Sequence, residues 1–441
     1  MAKKNKNPKS GKHKKKVRKC KPFNEGSVDE NIKAADAAME TLDVPTALKL
    51  YQVAASMLQG KLNLKLEGDD SQRDDTVKLS NVLAKVGEAK VSMGDQDGAR
   101  DCFLNAVSSL SSASWIGDEI QLHETRASLQ LYLGQLSSEQ DALTAYKNGV
   151  QELETCISLR EKVASTQGDA DMEGDNDNNN EVALQDTRKK LCGAFCNLAE
   201  LYMTDLCFEE NAEMECESNI QSALKISDPT DGQPLVDSLQ ALASLRLSQN
   251  RGLEAVDHVL AVYDKMKVGC EALAALVGLS EVEKEDNSDQ AVELVEVEAA
   301  NNLPGFEFRC QTSKILLECV AALKTSEEDE NSMEKQKRCA LGSIQVLGSL
   351  MAENDEVIET WYLLGCAFAS LNPPNTEAAG QYWERAMEML LKVKESIEQE
   401  VAEGACDPEE LKGILGQIEE VSIKLKEIGC SVDDDEIMGE H

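Results

Sequence analysis

Between Leu83 and Ala106 the apolar and small residues fall at Leu83, Val86, Gly87, Gly94, Ala99, Phe103 and Ala106, with polar residues between them. Steps of three and four put each set on one face of a helix, and Gly94 among polar neighbours breaks the run in two. The pattern predicts two antiparallel helices that touch through small residues, with large ones filling the gaps. The spacing recurs. Trp361, Leu364, Gly365 and Phe368 are followed by Ala379, Trp383 and Ala386, with Pro373-Pro374 lengthening the turn by two residues. Leu239, Leu242 and Ala243 precede Ala255, Val259 and Val262; Leu129 precedes Ala142, Tyr146 and Gly149. Ala34 and Ala35 precede Ala47, Tyr51 and Ala54, and Phe195, Leu198, Ala199 and Tyr202 precede Cys216, Ile220 and Ala223 after a longer turn.

Recurrence of a hairpin of about 34 residues is the beat of the tetratricopeptide (TPR) repeat. The expected fold is all-α, a TPR-type α-solenoid: a right-handed superhelix of helical hairpins. A single hairpin cannot bury its apolar face alone, so the units must stack, and a stack offers a binding surface rather than a reaction centre. Residues 1–27 read as a disordered basic tail, 28–428 as the repeat array and 429–441 (ending SVDDDEIMGEH) as an acidic tail. Within the array, hairpins are expected over Val28–Leu58, Lys78–Leu110, Gln121–Leu159, Val182–Ile226 and Pro234–Lys267. The stretch 166–181, with GDADMEGDNDNNNE at its heart, reads as a polar loop inserted between repeats. The segment 271–303 reads as irregular, with short helices over Glu271–Leu279 and Ser288–Asn301. Phe306–Leu323 and Met333–Met351 form a further hairpin, and the second helix of the Trp361 repeat runs toward Glu403. Asp407–Ile428, with Leu411, Ile414, Leu415, Ile418, Val421 and Leu425 on one stripe, predicts a capping helix.

Composition fits this picture. Of the 441 residues 41% are hydrophobic but only 4% aromatic, as expected of helices packed through small side chains. The net charge is −36, and residues 1–21 hold eleven Lys or Arg and no acid, so −47 falls on the rest. Such a body repels nucleic acid and anionic membranes and attracts a basic polypeptide. No run approaches the roughly 18 apolar residues of a membrane helix. Fourteen cysteines are present, but no apolar leader follows the basic start. Cys102, Cys196, Cys216, Cys339 and Cys366 occupy positions where the repeats call for small apolar residues, so reduced thiols in the core are expected.

Candidate chemistry is sparse. The chain lacks GxxxxGK[ST], HExxH and GxSxG, so no enzyme and no cofactor are expected. Cys192 and Cys196 lie four apart on one helix, but four histidines in no paired pattern and the lack of any CxxC argue for packing rather than metal. Lys14, Lys15, Lys16, Arg18 and Lys19 form a dense basic run of the kind read by a nuclear import receptor, which places the chain in nucleus and cytoplasm. In a TPR array the first helices of successive hairpins line the concave groove. The registers put Asp29, Asp36, Glu88, Glu124, Glu200, Asp237, Glu359 and Tyr362 there, seven of the eight acidic. Carboxylates in a groove suit an extended Lys/Arg-rich peptide, because charge-assisted hydrogen bonds exceed neutral ones.

The order of these features resembles a particular family. A lysine-rich start (KKNKNPKSGKHKKKVRK) leads into DENIKAADAAMETLDVPTALKLYQVAASML; the array runs through ETWYLLGCAFAS to EAAGQYWERAMEML and ends acidic. Over nearly its whole length the chain looks like the dedicated assembly chaperones of the fourth large-subunit ribosomal protein. That resemblance implies a TPR superhelix that embraces a long basic loop of its newly made client, shields it and escorts the protein to nuclear pre-ribosomes; the repeat registers themselves lead us to expect a monomer. From the residues alone two other readings stay open: a general TPR scaffold or adaptor subunit binding apolar helices, and a histone-type chaperone.

Overall fold

The computed structural model describes residues 26–64, 70–111, 119–167, 176–226, 235–279, 298–325, 330–402 and 408–430. The basic run at 14–19 and the acidic tail from 431 lie outside them. The described residues are helices and connecting turns, in two compact units divided after Cys156.

Unit 1 is three antiparallel hairpins: α1 (Val28–Glu40) with α2 (Val44–Leu64), α3 (Asp70–Ser92) with α4 (Gln96–Ser111), and α5 (Glu119–Gln135) with α6 (Glu139–Gln167), whose last turns fall in the second unit. The chain enters α1 through a capping box, in which the Ser27 hydroxyl accepts from the Glu30 amide and the Glu30 carboxylate accepts from the Ser27 amide. Small-against-large contacts hold each pair. A Cβ on Gly87 of α3 would lie 2.7 Å from the Phe103 ring of α4, closer than atoms pack, so only glycine lets the helices approach. Ala35 faces Tyr51 in the first hairpin at the equivalent position, both buried. In the third, the structure answers Tyr146 with Gly134, a turn beyond the position that the register of Gly87 would select. Tyr132 stacks on Phe103 with ring centroids 4.9 Å apart, tying the second hairpin to the third.

Unit 2 continues the plan with α7 (Asn176–Met203) and α8 (Ala212–Leu224), α9 (Val236–Ser248) and α10 (Gly252–Leu276), α11 (Phe306–Lys324) and α12 (Glu330–Glu353), α13 (Ile358–Ser370) and α14 (Thr376–Ala402), and a last helix α15 (Pro408–Glu427). Leu239, Ala243, Ala255, Val259, Val262 and Tyr263 share one core with Ile315, Leu316, Cys319, Val320 and Cys339. Gly365 of α13 meets the Trp383 indole of α14, whose Nε1 donates to the Tyr362 carbonyl across 3.1 Å. Ile418, Val421 and Leu425 of α15 cover Trp383, Met387 and Leu390, so the last helix closes the exposed face of the final hairpin. Arg309 of α11 is fully buried. It is satisfied by the Pro304 carbonyl at 2.9 Å, the Ser349 hydroxyl at 2.8 Å and the Glu353 carboxylate at 2.6 Å.

Several helices run past the expected bounds, α2 to Leu64 and α3 from Asp70, and two expected interruptions of the array differ from the sequence expectation. The insertion expected over 166–181 is narrower, because α6 runs to Gln167 and α7 begins at Asn176. Asn180 is held against α6 by hydrogen bonds in both directions with Arg160, which favours helix in a segment too polar to fold alone. Glu271–Leu279 is not a separate short helix. The buried stripe Val259, Val262, Met266, Cys270 and Ala274 keeps its three-and-four step, and α10 is continuous to Leu276. Most of the segment expected as Ser288–Asn301 lies outside the described residues, which resume at Glu298 in helical conformation.

Candidate functional site

On α7 the residues Gly193, Asn197 and Glu200 fall at steps of four and three, with Thr204 just past the helix end, and on α9 Asp237, Ala241 and Ser244 keep the same steps. Antiparallel hairpins stacked side by side bring these two stripes and the start of α11 onto one surface. There they form a cleft of about 390 Å³ completed by Cys196, Met203, Gln240, Phe308 and Gln311. All three helices are the first of their hairpins, as the groove reading requires. Its floor mixes apolar Met203, Ala241 and Phe308 with neutral polar groups. Gln240 is oriented by donating from Nε2 to the Phe308 carbonyl at 2.8 Å and the Thr312 hydroxyl at 2.6 Å. Glu200 and Asp237 are exposed at this cleft, and neither carboxylate has an ion-pair partner among the described residues.

The other sequence-predicted groove positions are placed differently. In unit 1, Lys78 of α3 pairs with Asp29 of α1, and Lys85, one heptad on, pairs with Asp36 across 2.5 Å. Asp36 also accepts from the Tyr51 hydroxyl at 2.6 Å. Partial burial pushes the Asp36 carboxyl upward, but the Lys85 and Tyr51 hydrogen bonds outweigh it and hold the group below its ordinary value. Glu88 is exposed on α3 and takes a hydrogen bond from Tyr132, whose phenol is raised by burial and then by this carboxylate. Glu124 is half-buried on α5 beside His123, which pairs with Glu152 of α6. In unit 2, Glu359 is bound by Lys314 of α11 at 2.7 Å and accepts from the Cys310 thiol. The Tyr362 hydroxyl donates to Glu420 of α15 at 2.5 Å, so its polar end is committed inside the array.

The structure therefore brings Glu200 and Asp237 together and gives Asp29, Asp36 and Glu359 internal cations. Asn197, Gln240, Phe308 and Gln311 belong to the cleft without having been singled out from sequence. Extending the heptad stripes of Glu200 and Asp237 along their helices finds the first two. Phe308 and Gln311 needed the packing of α11 against α9.

The rest of the chemistry is structural. The twelve described cysteines are free thiols, seven of them buried. Burial pushes Cys216, Cys270 and Cys310 up to about 11, which keeps them protonated and unreactive near neutrality. Cys196 is raised by its hydrogen bond with Cys192, by burial and by the nearby Asp237 and Glu200. Among the described residues no group of three or more His, Cys, Asp or Glu side chains could hold a metal ion, and no helix is long and apolar enough to cross a membrane.

A stack of helical hairpins presenting a cleft of first-helix side chains, with carboxylates at its surface, defines a repeat protein suited to holding polypeptide. No protein-family model matches the chain. It is similar to a Schizosaccharomyces pombe protein named "Probable assembly chaperone of rpl4", at 27% identity over 303 residues, 68% of this chain and 66% of that protein. The match thus spans just under two thirds of that relative. Among solved structures it is similar to the "Assembly Chaperone of RpL4 (Acl4) (Residues 1-338)", with a TM-score of 0.51 at 23% identity over 80% of this chain and 100% of that one. This likeness shows the helical-repeat fold, and neither name describes an enzyme. Yeast Tom70 also aligns, over 90% of this chain, but its TM-score of 0.18 carries no weight.

Proposed function

We propose that this chain is an assembly chaperone for a newly made ribosomal protein of the large subunit, the fourth, and that it holds an extended basic loop of that client in its first-helix groove. The observation that carries this reading is the pair Glu200 and Asp237: two exposed carboxylates at one cleft, without an ion-pair partner among the described residues, where Asp29, Asp36 and Glu359 each have a lysine. A Lys or Arg side chain can lay its aliphatic stem on Met203 and Phe308 and bring its charge to these carboxylates. The names of the similar proteins point to the same client. Such a loop is built to thread through RNA, and carboxylates supply temporary countercharge until rRNA phosphates take over, an exchange that weakens with salt. The chain needs no catalytic residue, works as a monomer, and uses its basic run at 14–19 to engage an import receptor on the way from cytoplasm to nucleus.

The test is calorimetry with the client's basic loop and the double variant Glu200→Lys, Asp237→Lys. Charge-assisted contacts are worth about 1.5–3 kcal/mol each, so a loss of roughly 3 kcal/mol, above a hundredfold, is expected. The affinity of the unaltered protein should fall steeply as salt rises. A folded double variant that binds the loop as tightly as the unaltered protein overturns the groove assignment and favours an apolar scaffold. Deleting residues 1–21 should shift the protein toward the cytoplasm; continued nuclear concentration would place the import signal elsewhere.

A further inference from the structure

Three residues separate α1 from α2, α3 from α4, α5 from α6 and α9 from α10, whereas eight, Thr204 to Asn211, separate α7 from α8. The longer loop is built. Leu206 donates its amide to the Leu201 carbonyl at 2.9 Å, Cys207 to Thr204 at 3.3 Å, Glu209 to Leu206 at 3.0 Å and Ala212 to Glu209 at 3.0 Å. Leu206 and Ala212 are buried as its two anchors. Between them Phe208 is 97% exposed, and Met214, on the first turn of α8, is 61% exposed. Beside Met214 runs a shallow cleft of about 570 Å³ lined by Glu210, Asn211, Glu213, Glu217 and Ser218.

A phenylalanine left in water forfeits about 1.5–3 kcal/mol of burial, so this side chain contributes nothing to the fold that holds it. A rigid loop presenting one aromatic ring costs little conformational entropy on association, and such rings are what interface hot spots are made of. Asp205, Glu209, Glu210 and Glu213 surround it in sequence, which selects a complementary rim of Lys and Arg on whatever receives the ring.

We propose that Phe208 and Met214 are a second docking surface, which inserts into an apolar pocket rimmed by basic residues on the folded domain of the same client. This rests on the client reading above. A protein made to coat RNA carries such a rim, and a groove occupied by its extended loop leaves the folded part to be placed by loops such as this one. The division of labour is then acidic groove for the loop, aromatic knob for the domain.

The experiment compares two probes, the full ribosomal protein and its isolated basic loop, against Phe208→Ala and Phe208→Trp. Phe208→Ala should weaken binding of the full protein by about tenfold or more, leave loop binding unchanged, and keep the melting temperature of the unaltered chain. Phe208→Trp should recover most of the loss. Equal affinity of Phe208→Ala and the unaltered chain for the full protein overturns the proposal, and so does an equal loss with both probes, which would put Phe208 in the groove. An unaltered chain that binds neither probe overturns the client reading itself and this one with it.

Discussion

Lys314 of α11 reaches forward to Glu359 at the start of α13 across 2.7 Å, whereas Lys85 of α3 reaches back to Asp36 of α1 across 2.5 Å. These lysines neutralise first-helix acids from within the array, whereas Glu200 and Asp237 have no ion-pair partner among the described residues.

The two kinds of acid should separate in stability measurements. Glu359→Lys removes the partner of Lys314 and sets two cations face to face. Both side chains are a third or more exposed, so the pair is worth only about 0–1 kcal/mol, and a small fall in melting temperature is expected. Glu200→Lys with Asp237→Lys breaks no pair and should leave the melting temperature unchanged or slightly raised. Calorimetric scans of both variants at low salt check this; equal destabilisation would mean that Glu200 and Asp237 have a structural role.

The turn of the first hairpin holds a correctable strain. Leu42, Gly94 and Asn250 occupy equivalent places after α1, α3 and α9, and all three are left-handed, with φ of 58°, 79° and 56°. Glycine takes that conformation without penalty and asparagine with little, but for leucine it costs roughly 1–2 kcal/mol. Leu42 is exposed and packs against nothing that would repay the strain. Leu42→Gly should therefore stabilise the protein by about 0.5–1 kcal/mol, after the entropy that glycine gains in the unfolded chain. A shift of the urea midpoint to lower concentration would refute this.

Glycines in this chain differ by what they face. A Cβ at Gly365 would lie 2.3 Å from Trp383 Nε1, whereas at Gly413 on α15 nothing comes within 4 Å. Gly365→Ala should cost about 1–3 kcal/mol through overpacking, and Gly413→Ala should gain up to about 1 kcal/mol from helix propensity. Denaturant unfolding of the two variants reads the difference in sign.

Acid should expose one ion pair in particular. Glu217 of α8 binds Arg246 of α9 through two hydrogen bonds of 2.8 Å, and this holds its carboxyl below the ordinary glutamate value. A carboxylate lowered on folding stabilises fully above its unfolded pKa of about 4.3, and the contribution disappears as pH falls through the folded value. The gap in melting temperature between the unaltered protein and Glu217→Gln should be constant from pH 7 to about 5 and shrink below pH 4. A gap independent of pH would assign the loss to packing rather than charge.

How much of this was legible beforehand depends on range. The hairpins, their turns and their core faces follow from spacing, because a helix repeats every 3.6 residues and its buried stripe is written in the local order of side chains. That is why Gly87 with Phe103, Gly365 with Trp383 and the stripe of α15 were readable in the chain itself. That Glu200 and Asp237 lie on first helices was readable from the repeat register. Tertiary structure alone decided which acids are uncovered. Lys78, Lys85 and Lys314 are far in sequence from Asp29, Asp36 and Glu359, and only the stagger of neighbouring hairpins brings each pair within hydrogen-bonding reach. The same holds for Tyr362, taken by Glu420 from 58 residues away, and for Tyr146, met by Gly134 one turn along α5 from the position that the register of Gly87 selects. Periodicity fixes which face of a helix is buried; the depth and rotation at which two faces meet are set by side-chain volumes across the interface, which no single segment contains.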